Sequence, residues 1–217
     1  MEEKEMLGEL FKIYKSIKPQ IILRLKEFKN LWLNGKEEDI FKELIFCLLT
    51  PQSKAEKCWE CVKNLEMKNL LFSENEEKIA EELKNVRFRF NKAKYIIEAK
   101  KKFVIKDELK IKSCIENFEN PIKARDYLVT NIKGLGYKEA SHFLRNIGLG
   151  ENLAILDRHI LKNLKLLKII QEIPKTLSRK WYIEIENRMK RFAKFINIPL
   201  SHLDFVLWYK ETGKIFK

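Results

Sequence analysis

The spacing of apolar residues constrains the fold of this chain most, because it follows the helical period almost throughout. Helices are predicted over 7–14, 21–31, 40–48, 93–100, 182–196 and 205–209, with Pro19 near the start of the second. Thr50 and Pro51 are predicted to begin the helix after 40–48, and Asn91 to cap the helix over 93–100. No segment alternates apolar and polar residues between hairpin turns, so the sequence predicts an all-α protein.

Glycine is rare in the sequence, and four of the seven glycines fall in one short segment: Gly134, Gly136, Gly148 and Gly150. Glycine is favoured where the backbone needs a positive φ or where another group approaches closely. Residues 124–148 therefore predict a tight unit of helix, four-residue turn and helix, with Lys133–Gly136 as the turn.

The second helix of this unit starts directly after the turn, so its free N–H groups suit a phosphate. Its apolar stripe consists of Ala140, Phe143, Leu144 and Ile147. Its opposite, polar side is expected to carry Lys138, Ser141, His142 and Arg145. Two other interpretations compete with DNA binding: a dinucleotide-binding loop, which would have to follow a strand, and an αα-hairpin whose glycines serve packing.

The net charge favours DNA binding over packing alone. The 44 Lys and Arg residues outnumber 31 Asp and Glu residues, so the formal net charge is +13 and the pI is about 9.5. An excess of this size favours a polyanionic partner, either nucleic acid or an acidic membrane surface. No apolar run reaches the roughly 18 residues of a membrane span, and the N-terminus lacks the pattern of a signal peptide. We therefore expect a cytoplasmic protein with no membrane partner.

The cysteines and histidines predict no metal site. Cys58 and Cys61 form a single C-x-x-C pair without a second pair to complete a zinc site, and we expect both thiols to be buried in a helix. The other cysteines are Cys47 and Cys114, and the three histidines have no ligand spacing.

The segment Ile132–Lys138, a turn of the form Ile-x-Gly-Leu-Gly-x-Lys, is followed 19 residues later by Asp157. This pattern resembles the helix–hairpin–helix DNA glycosylase superfamily. The longer stretches Gly134–Asn146 and Ala154–Ile160 resemble one branch, the short 8-oxoguanine DNA glycosylase/AP lyases of archaea and some thermophilic bacteria. Further similarity lies at 46–50, 171–175 and 207–217, whereas the sequence after Thr50 departs from the usual pattern.

The resemblance implies a repair enzyme with two catalytic residues, Lys138 and Asp157. Lys138 would attack C1′ of the deoxyribose, form a Schiff base, and allow β-elimination of the 3′ phosphate. A lysine at a helix start suits this role, since the positive end of the helix dipole disfavours the ammonium form. Asp157 would stabilise positive charge on the sugar, and its residue type also predicts a helix N-cap. Two alternatives stay open. The chain could be a non-catalytic DNA-binding module, which would need neither residue, or a glycosylase for a different lesion, either an oxidised pyrimidine or mispaired adenine.

The resemblance also implies how DNA is held. The flipped base would stack on Phe88 and Trp208 and meet the terminal carboxylate of Lys217. The DNA backbone would contact the hairpin and nearby cations: Lys133, Gly134, Leu135, Gly136, Arg145, Arg158 and Lys162. A monovalent cation is expected at the hairpin near Leu135, no other cofactor is required, and the four-cysteine iron–sulfur motif of endonuclease III relatives is missing.

The fold implied by the resemblance is two helical lobes with a DNA cleft between them. Residues 1–36 together with 151–217 are predicted to form one lobe, and 37–150 the other, ending in the helix–hairpin–helix at about 124–148. The expected partner is double-stranded DNA containing 8-oxoguanine, bound by a monomer.

Overall fold

The computed structural model describes residues 2–217 and forms eleven α-helices and one short antiparallel ribbon in that range. The helices are α1 Glu2–Asn34, α2 Glu37–Leu49, α3 Ala55–Met67, α4 Glu76–Glu82, α5 Arg89–Phe103, α6 Ile111–Glu116, α7 Pro121–Asn131, α8 Tyr137–Asn146, α9 Arg158–Leu166, α10 Arg179–Phe195 and α11 Leu200–Thr212. The ribbon pairs β1 Val104–Ile105 with β2 Glu108–Leu109. The prediction of an all-α fold is confirmed, and no helix in the described range is long and apolar enough to cross a membrane.

Three local predictions about helix ends are wrong. Pro19 lies inside α1 and does not separate two helices, because it sits on the exposed side, where the carbonyl left without its N–H partner can be hydrated. Thr50 ends α2 as its C-cap, since its N–H and hydroxyl donate back to the carbonyls of Phe46 and Cys47. Asn91 lies within α5, whose N-cap is Phe88.

The buried apolar residues form two clusters. The central core contains residues from α2 to α8, between Ile40 and Leu153. The terminal core contains residues of α1 between Leu10 and Phe28 together with residues between Ala154 and Leu207. The predicted lobe boundaries themselves stay a prediction.

Helix α8 is buried along most of its length, from Ala140 to Asn146. It packs against α2 of the central core, against α7, and against α1 of the terminal core. Ser141, His142 and Arg145, which were expected on the polar side of α8, are buried as well. Ser141 and Arg145 face partners in other helices, Arg125 and Asp204.

Candidate active site

The turn between α7 and α8 depends on Gly134. Its φ is +89°, and a Cβ at this position would lie 2.5 Å from Cδ2 of Tyr95. The turn is closed by the N–H of Leu135, which donates to the carbonyl of Ile132 at 3.2 Å. Gly136 is the N-cap of α8, and its N–H donates to Oε2 of Glu139 at 3.2 Å. The glycines thus allow a tight turn in which two of the hairpin N–H groups already have acceptors.

The first turn of α8 is the part of the hairpin that can bind an anion. The N–H groups of Tyr137, Lys138 and Glu139 have no acceptor among the described residues, as expected for the start of a helix. The side chain of Leu135 is buried and cannot contact DNA directly. Phosphate binding by 133–136 stays a prediction, and so does a cation near Leu135.

Lys138 is the second residue of α8, and its side chain is 25% exposed. Its Nζ lies 3.1 Å from Oε1 of Glu139. Two other basic side chains are close enough for Lys138 to disfavour their protonation. Burial, with a smaller contribution from Lys138, lowers the pKa of Lys92 to about 8. Burial and the charges of Arg145 and Lys138 hold the pKa of His142 well below its usual value.

Lys92 was not identified from the sequence. It is 4% exposed, and its Nζ donates to the carbonyls of Leu49 and Pro51 at 2.7 and 2.8 Å and to Oγ of Ser53 at 3.2 Å. The same Oγ accepts the N–H of Arg87 at 3.1 Å. Lys92 thereby joins the segment after α2 to the segment that precedes α5 and carries Phe88.

Asp157 caps α9, as predicted. Its Oδ1 accepts the N–H groups of His159 and Ile160, both at 2.8 Å. None of the described side chains donates to its other oxygen, Oδ2. The cap therefore fixes the carboxylate and leaves one oxygen available to a substrate.

The segment that leads to Asp157 is held by α10. The carbonyl of Ala154 accepts the hydroxyl of Tyr182 at 2.7 Å, and the N–H of Ala154 donates to Oε2 of Glu186 at 2.8 Å. The N–H of Leu156 donates to Oη of Tyr182 at 3.2 Å. Because the backbone just before Asp157 is fixed at three points, α10 determines where this carboxylate lies.

A buried ion pair connects the hairpin to α10. Arg125 of α7 is fully buried and binds both carboxylate oxygens of Glu186, at 2.7 and 3.2 Å. Its Nη1 also donates to Oγ of Ser141 at 3.1 Å. One charged network therefore connects α7 and α8, the helix of Lys138, to the segment that leads to Asp157.

The prediction that Arg145 contacts DNA is wrong. Arg145 is 6% exposed, and its Nη1 donates to Oδ2 of Asp204 in α11 at 2.6 Å. Its guanidinium also lies against the rings of Phe205 and Phe28, 4.6 and 5.8 Å from their centroids. Burial raises the pKa of Asp204 to about 6 although Arg145 opposes the shift, and Asp157 adds to it. Arg145 thus connects α8 to α11 and cannot reach a phosphate.

The other predicted cations lie on the surface. Arg158 is exposed. The Lys133 ammonium is 3.6 Å from Oε1 of Glu98, and that of Lys162 is 2.9 Å from Oε2 of Glu211. These positions are compatible with phosphate contacts, which stay a prediction for all three.

The three residues predicted to bind a base differ in their surroundings. Phe88 is 54% exposed and has a left-handed backbone (φ 59°, ψ 36°), which is strained for a bulky residue. Trp208 is half-buried, with the ring of His159 edge-on at 5.3 Å. The stacking of a base on Phe88 and Trp208 stays a prediction.

Lys217 is held firmly at the end of the chain. Its ammonium pairs with Glu43 and lies 3.4 Å from the ring centroid of Trp59. The residue before it, Phe216, packs on the ring of Phe46 at 6.2 Å, and the imidazole of His142 lies edge-on to the same ring at 5.5 Å. A cavity of about 270 Å³ between α1, α2 and α3 is lined by Lys217 but by neither catalytic candidate. Glu43 and Trp59 were missed in the sequence, although a charged residue within the apolar run 40–49 was a usable signal.

The chain is similar to known proteins along most of its length. The family model described as 8-oxoguanine DNA glycosylase matches residues 21–198. A curated 8-oxoguanine DNA glycosylase/AP lyase of Fusobacterium nucleatum is 48% identical over 217 residues and covers 100% of both chains. The protein of the same name from Methanocaldococcus jannaschii is 45% identical over 203 residues, 93% of each chain.

Solved structures show the same relationship. The 8-oxoguanine DNA glycosylase of Thermotoga maritima superposes with a TM-score of 0.88 at 38% identity, covering 99% of this chain and 100% of that one. The 8-oxoguanine glycosylase/lyase of M. jannaschii in complex with a 15mer DNA containing 8-oxoguanine gives 0.88 at 41% identity, covering 98% and 100%. The match spans both cores and includes the hairpin and Asp157, and the chain belongs to the 8-oxoguanine DNA glycosylase family of helix–hairpin–helix proteins.

Proposed function

We propose that this protein excises 8-oxoguanine from double-stranded DNA and cleaves the strand at the resulting abasic site. One observation carries the proposal: a partly buried lysine at the start of the hairpin helix is linked, through buried charges, to a rigid carboxylate with a free oxygen. The DNA complex of the M. jannaschii relative supports the choice of partner and lesion.

In the proposed mechanism, the neutral amine of Lys138 attacks C1′ of the flipped nucleotide. The glycosidic bond breaks, and its electron pair leaves with the base, which takes up a proton. The nitrogen, now a secondary ammonium, passes a proton to Asp157. The C1′–O4′ bond then breaks, O4′ takes up a proton, and the nitrogen lone pair forms the C1′=N bond of the Schiff base. Loss of a C2′ proton expels the 3′ phosphate by β-elimination.

Asp157 acts on charge and protons in this sequence. Its fixed carboxylate stabilises the positive charge that develops on the sugar, and electrostatic stabilisation of this kind requires a preorganised group. The two N–H groups on Oδ1 provide this rigidity, and Oδ2, to which none of the described side chains donates, is free to accept the amine proton. The lysine and the carboxylate supply the whole reaction, so the proposal includes no cofactor. The enzyme is proposed to act as a monomer on cytoplasmic DNA.

Borohydride trapping tests the proposal, because it reduces the Schiff base to a stable protein–DNA adduct. We expect wild-type protein to form the adduct on an 8-oxoguanine duplex, and Lys138→Gln to form none. The matched control is Lys123→Gln, which removes the same charge from an exposed lysine of α7, the first helix of the hairpin. Failure of the wild type to form an adduct, or trapping by Lys138→Gln, would contradict the proposed chemistry. Excision assays on oxidised pyrimidines and mispaired adenine test the choice of lesion.

A further inference from the structure

We infer that one exposed side of α1 is a docking surface for an acidic amphipathic helix of a partner protein. The surface is a straight row of seven side chains, which we call the α1 stripe: Phe11, Lys15, Lys18, Ile22, Lys26, Lys29 and Leu33. It contains none of the residues of the candidate active site, so the inference goes beyond the proposed function and does not depend on it.

The α1 stripe follows from the helical period. Its residues are three or four positions apart, so they lie one above the other on the same side of the helix. The apolar members, Phe11, Ile22 and Leu33, are eleven residues apart, which is three helical turns, and two lysines separate each from the next. With a rise of about 1.5 Å per residue, the row is about 33 Å long.

All seven residues of the α1 stripe are exposed, whereas another side of α1 packs into the terminal core. Phe11 is 46% exposed, Ile22 48% and Leu33 64%, and the four lysines are exposed as well. The buried side, which includes Ile17 and Ile21, lies about a third of a turn away around the helix. Packing within this chain therefore does not account for the apolar residues of the stripe.

The charge of the α1 stripe has one sign. It contains four lysines and no acidic residue, and none of these lysines pairs with a carboxylate of the described residues. The ion pairs of α1 among the described residues, Arg24 with Glu27 and Glu9 with Lys210, lie on other sides of the helix. Four uncompensated positive charges in one row favour a partner that is negative along its length.

The alternation of apolar and basic side chains identifies the class of partner. A helix with apolar residues at the same eleven-residue period and acidic residues between them would meet every position of the stripe, in the manner of helices that dock through spaced anchors. Undistorted duplex DNA offers phosphates to the lysines but little apolar surface to three large side chains. A bilayer requires a continuous apolar face, whereas the apolar residues here are about 16 Å apart. A second copy of the chain, docked through the same face, would oppose lysines to lysines.

The α1 stripe and the hairpin turn meet different ends of α8. A Cβ at Gly148, which follows α8, would lie 2.7 Å from Cα of Lys29, so α1 passes the C-terminal end of α8. Lys138 lies in the first turn, at the other end, and the length of α8 is about 15 Å. We therefore expect a partner on the stripe and DNA on the hairpin to bind at the same time.

The experiment measures binding of a labelled synthetic peptide to the 217-residue protein by fluorescence anisotropy. The peptide has leucine at every eleventh position, glutamate at the positions that face the lysines, and alanine elsewhere, and a peptide of the same composition in scrambled order is its control. We expect the ordered peptide to bind at least about tenfold more tightly, because only its apolar residues align with Phe11, Ile22 and Leu33. Its affinity should fall with added salt.

Substitutions on and beside the α1 stripe show which residues bind the ordered peptide. Ile22→Asn removes the central apolar residue and should weaken binding roughly tenfold. Leu23→Asn is the matched control, because Leu23 is 60% exposed on the same helix but lies off the stripe, and it should change the affinity less than about twofold. Lys15→Gln combined with Lys26→Gln should weaken binding and reduce its salt dependence, whereas Lys12→Gln, also exposed and off the stripe, should do neither.

Three results would overturn the inference. The first is equal affinity of the ordered and scrambled peptides, and the second is an equal loss of affinity in Ile22→Asn and Leu23→Asn. The third is a fall in the affinity for undamaged duplex DNA, or for vesicles of an acidic phospholipid, as large in Ile22→Asn as the fall for the peptide, since it would assign the stripe to DNA or to a membrane. All variants change exposed side chains, so their melting temperatures should equal that of the wild type.

Discussion

Replacing Glu186 by glutamine removes the one carboxylate within ion-pair distance of Arg125 in residues 2–217. The Arg125 guanidinium is fully buried, so it would keep a positive charge without a counterion. Breaking a buried pair in this way costs about 3–5 kcal/mol of unfolding free energy. For a chain of this length, that corresponds to a fall in melting temperature of roughly 6–20 °C.

The reverse substitution, Arg125→Met, should cost less. Glu186 would keep the N–H of Ala154 at 2.8 Å and the ammonium of Lys190 at 3.1 Å, and the latter reaches solvent. We therefore expect a loss of about 1–3 kcal/mol, the usual range when one partner of a buried hydrogen-bonded group is removed. Lys190→Met, which removes a partly exposed partner, should cost less than about 1 kcal/mol.

Urea unfolding measures this order of stabilities. Circular dichroism and the fluorescence of the four tryptophans should give coincident transitions if the two cores unfold together. Equal losses for Glu186→Gln and Arg125→Met, or a Glu186→Gln loss below about 1 kcal/mol, would refute the view that Glu186 compensates an otherwise isolated buried charge.

Three further expectations concern the catalytic carboxylate, the glycines and the buried lysine. Asp157→Asn should keep the helix cap and the stability of the protein but lower the excision rate at least about a hundredfold. Asp157→Ala should lower the excision rate as well and also lose about 1 kcal/mol of unfolding free energy, because it removes the cap. Equal excision rates for wild type and Asp157→Asn would exclude a catalytic charge at this position. Gly148→Ala should destabilise the protein more than Gly134→Ala, because its Cβ would lie 2.7 Å from the α1 backbone at Lys29 and not against a movable ring, and the melting temperatures of the two variants check this order. Because the pKa of Lys92 is lowered to about 8 in the folded protein, the unfolded chain binds more protons between about pH 8 and pH 10.5. Urea unfolding should therefore show the stability of the wild type rising with pH relative to Lys92→Met across this window, by up to about 1.4 kcal/mol per pH unit. A falling or constant difference would contradict the lowered pKa.

The features that the sequence predicted correctly depend on local chemistry. The turn at Lys133–Gly136 was indicated by glycines, and Gly134 does have the positive φ that favours this residue. The cap at Asp157 followed from its residue type and the helix after it. In both cases the residues that determine the structure are neighbours in the chain, so no knowledge of the tertiary fold was needed.

The features that the sequence missed depend on distant partners. Arg145 was expected to contact phosphate because helical periodicity identifies an apolar stripe but does not show whether the polar side of the helix is covered. Its partner Asp204 is 59 residues away, and the partner of Arg125 is 61 residues away. A basic residue on the surface and one in a buried ion pair have the same local sequence signal, so only the packing of α8 between the cores distinguishes them.

This packing also explains how two catalytic residues from different parts of the chain keep one geometry. Lys138 belongs to the helix that packs against α2, whereas Asp157 follows a segment held by α10. Apolar contacts alone are not directional and would allow small sliding movements between the cores. The pairs Arg125–Glu186 and Arg145–Asp204 are directional, and unfavourable unless their donors and acceptors meet, so they permit one register of α7 and α8 against α10 and α11. The buried charges of this protein are best understood as the parts that set the distance between amine and carboxylate.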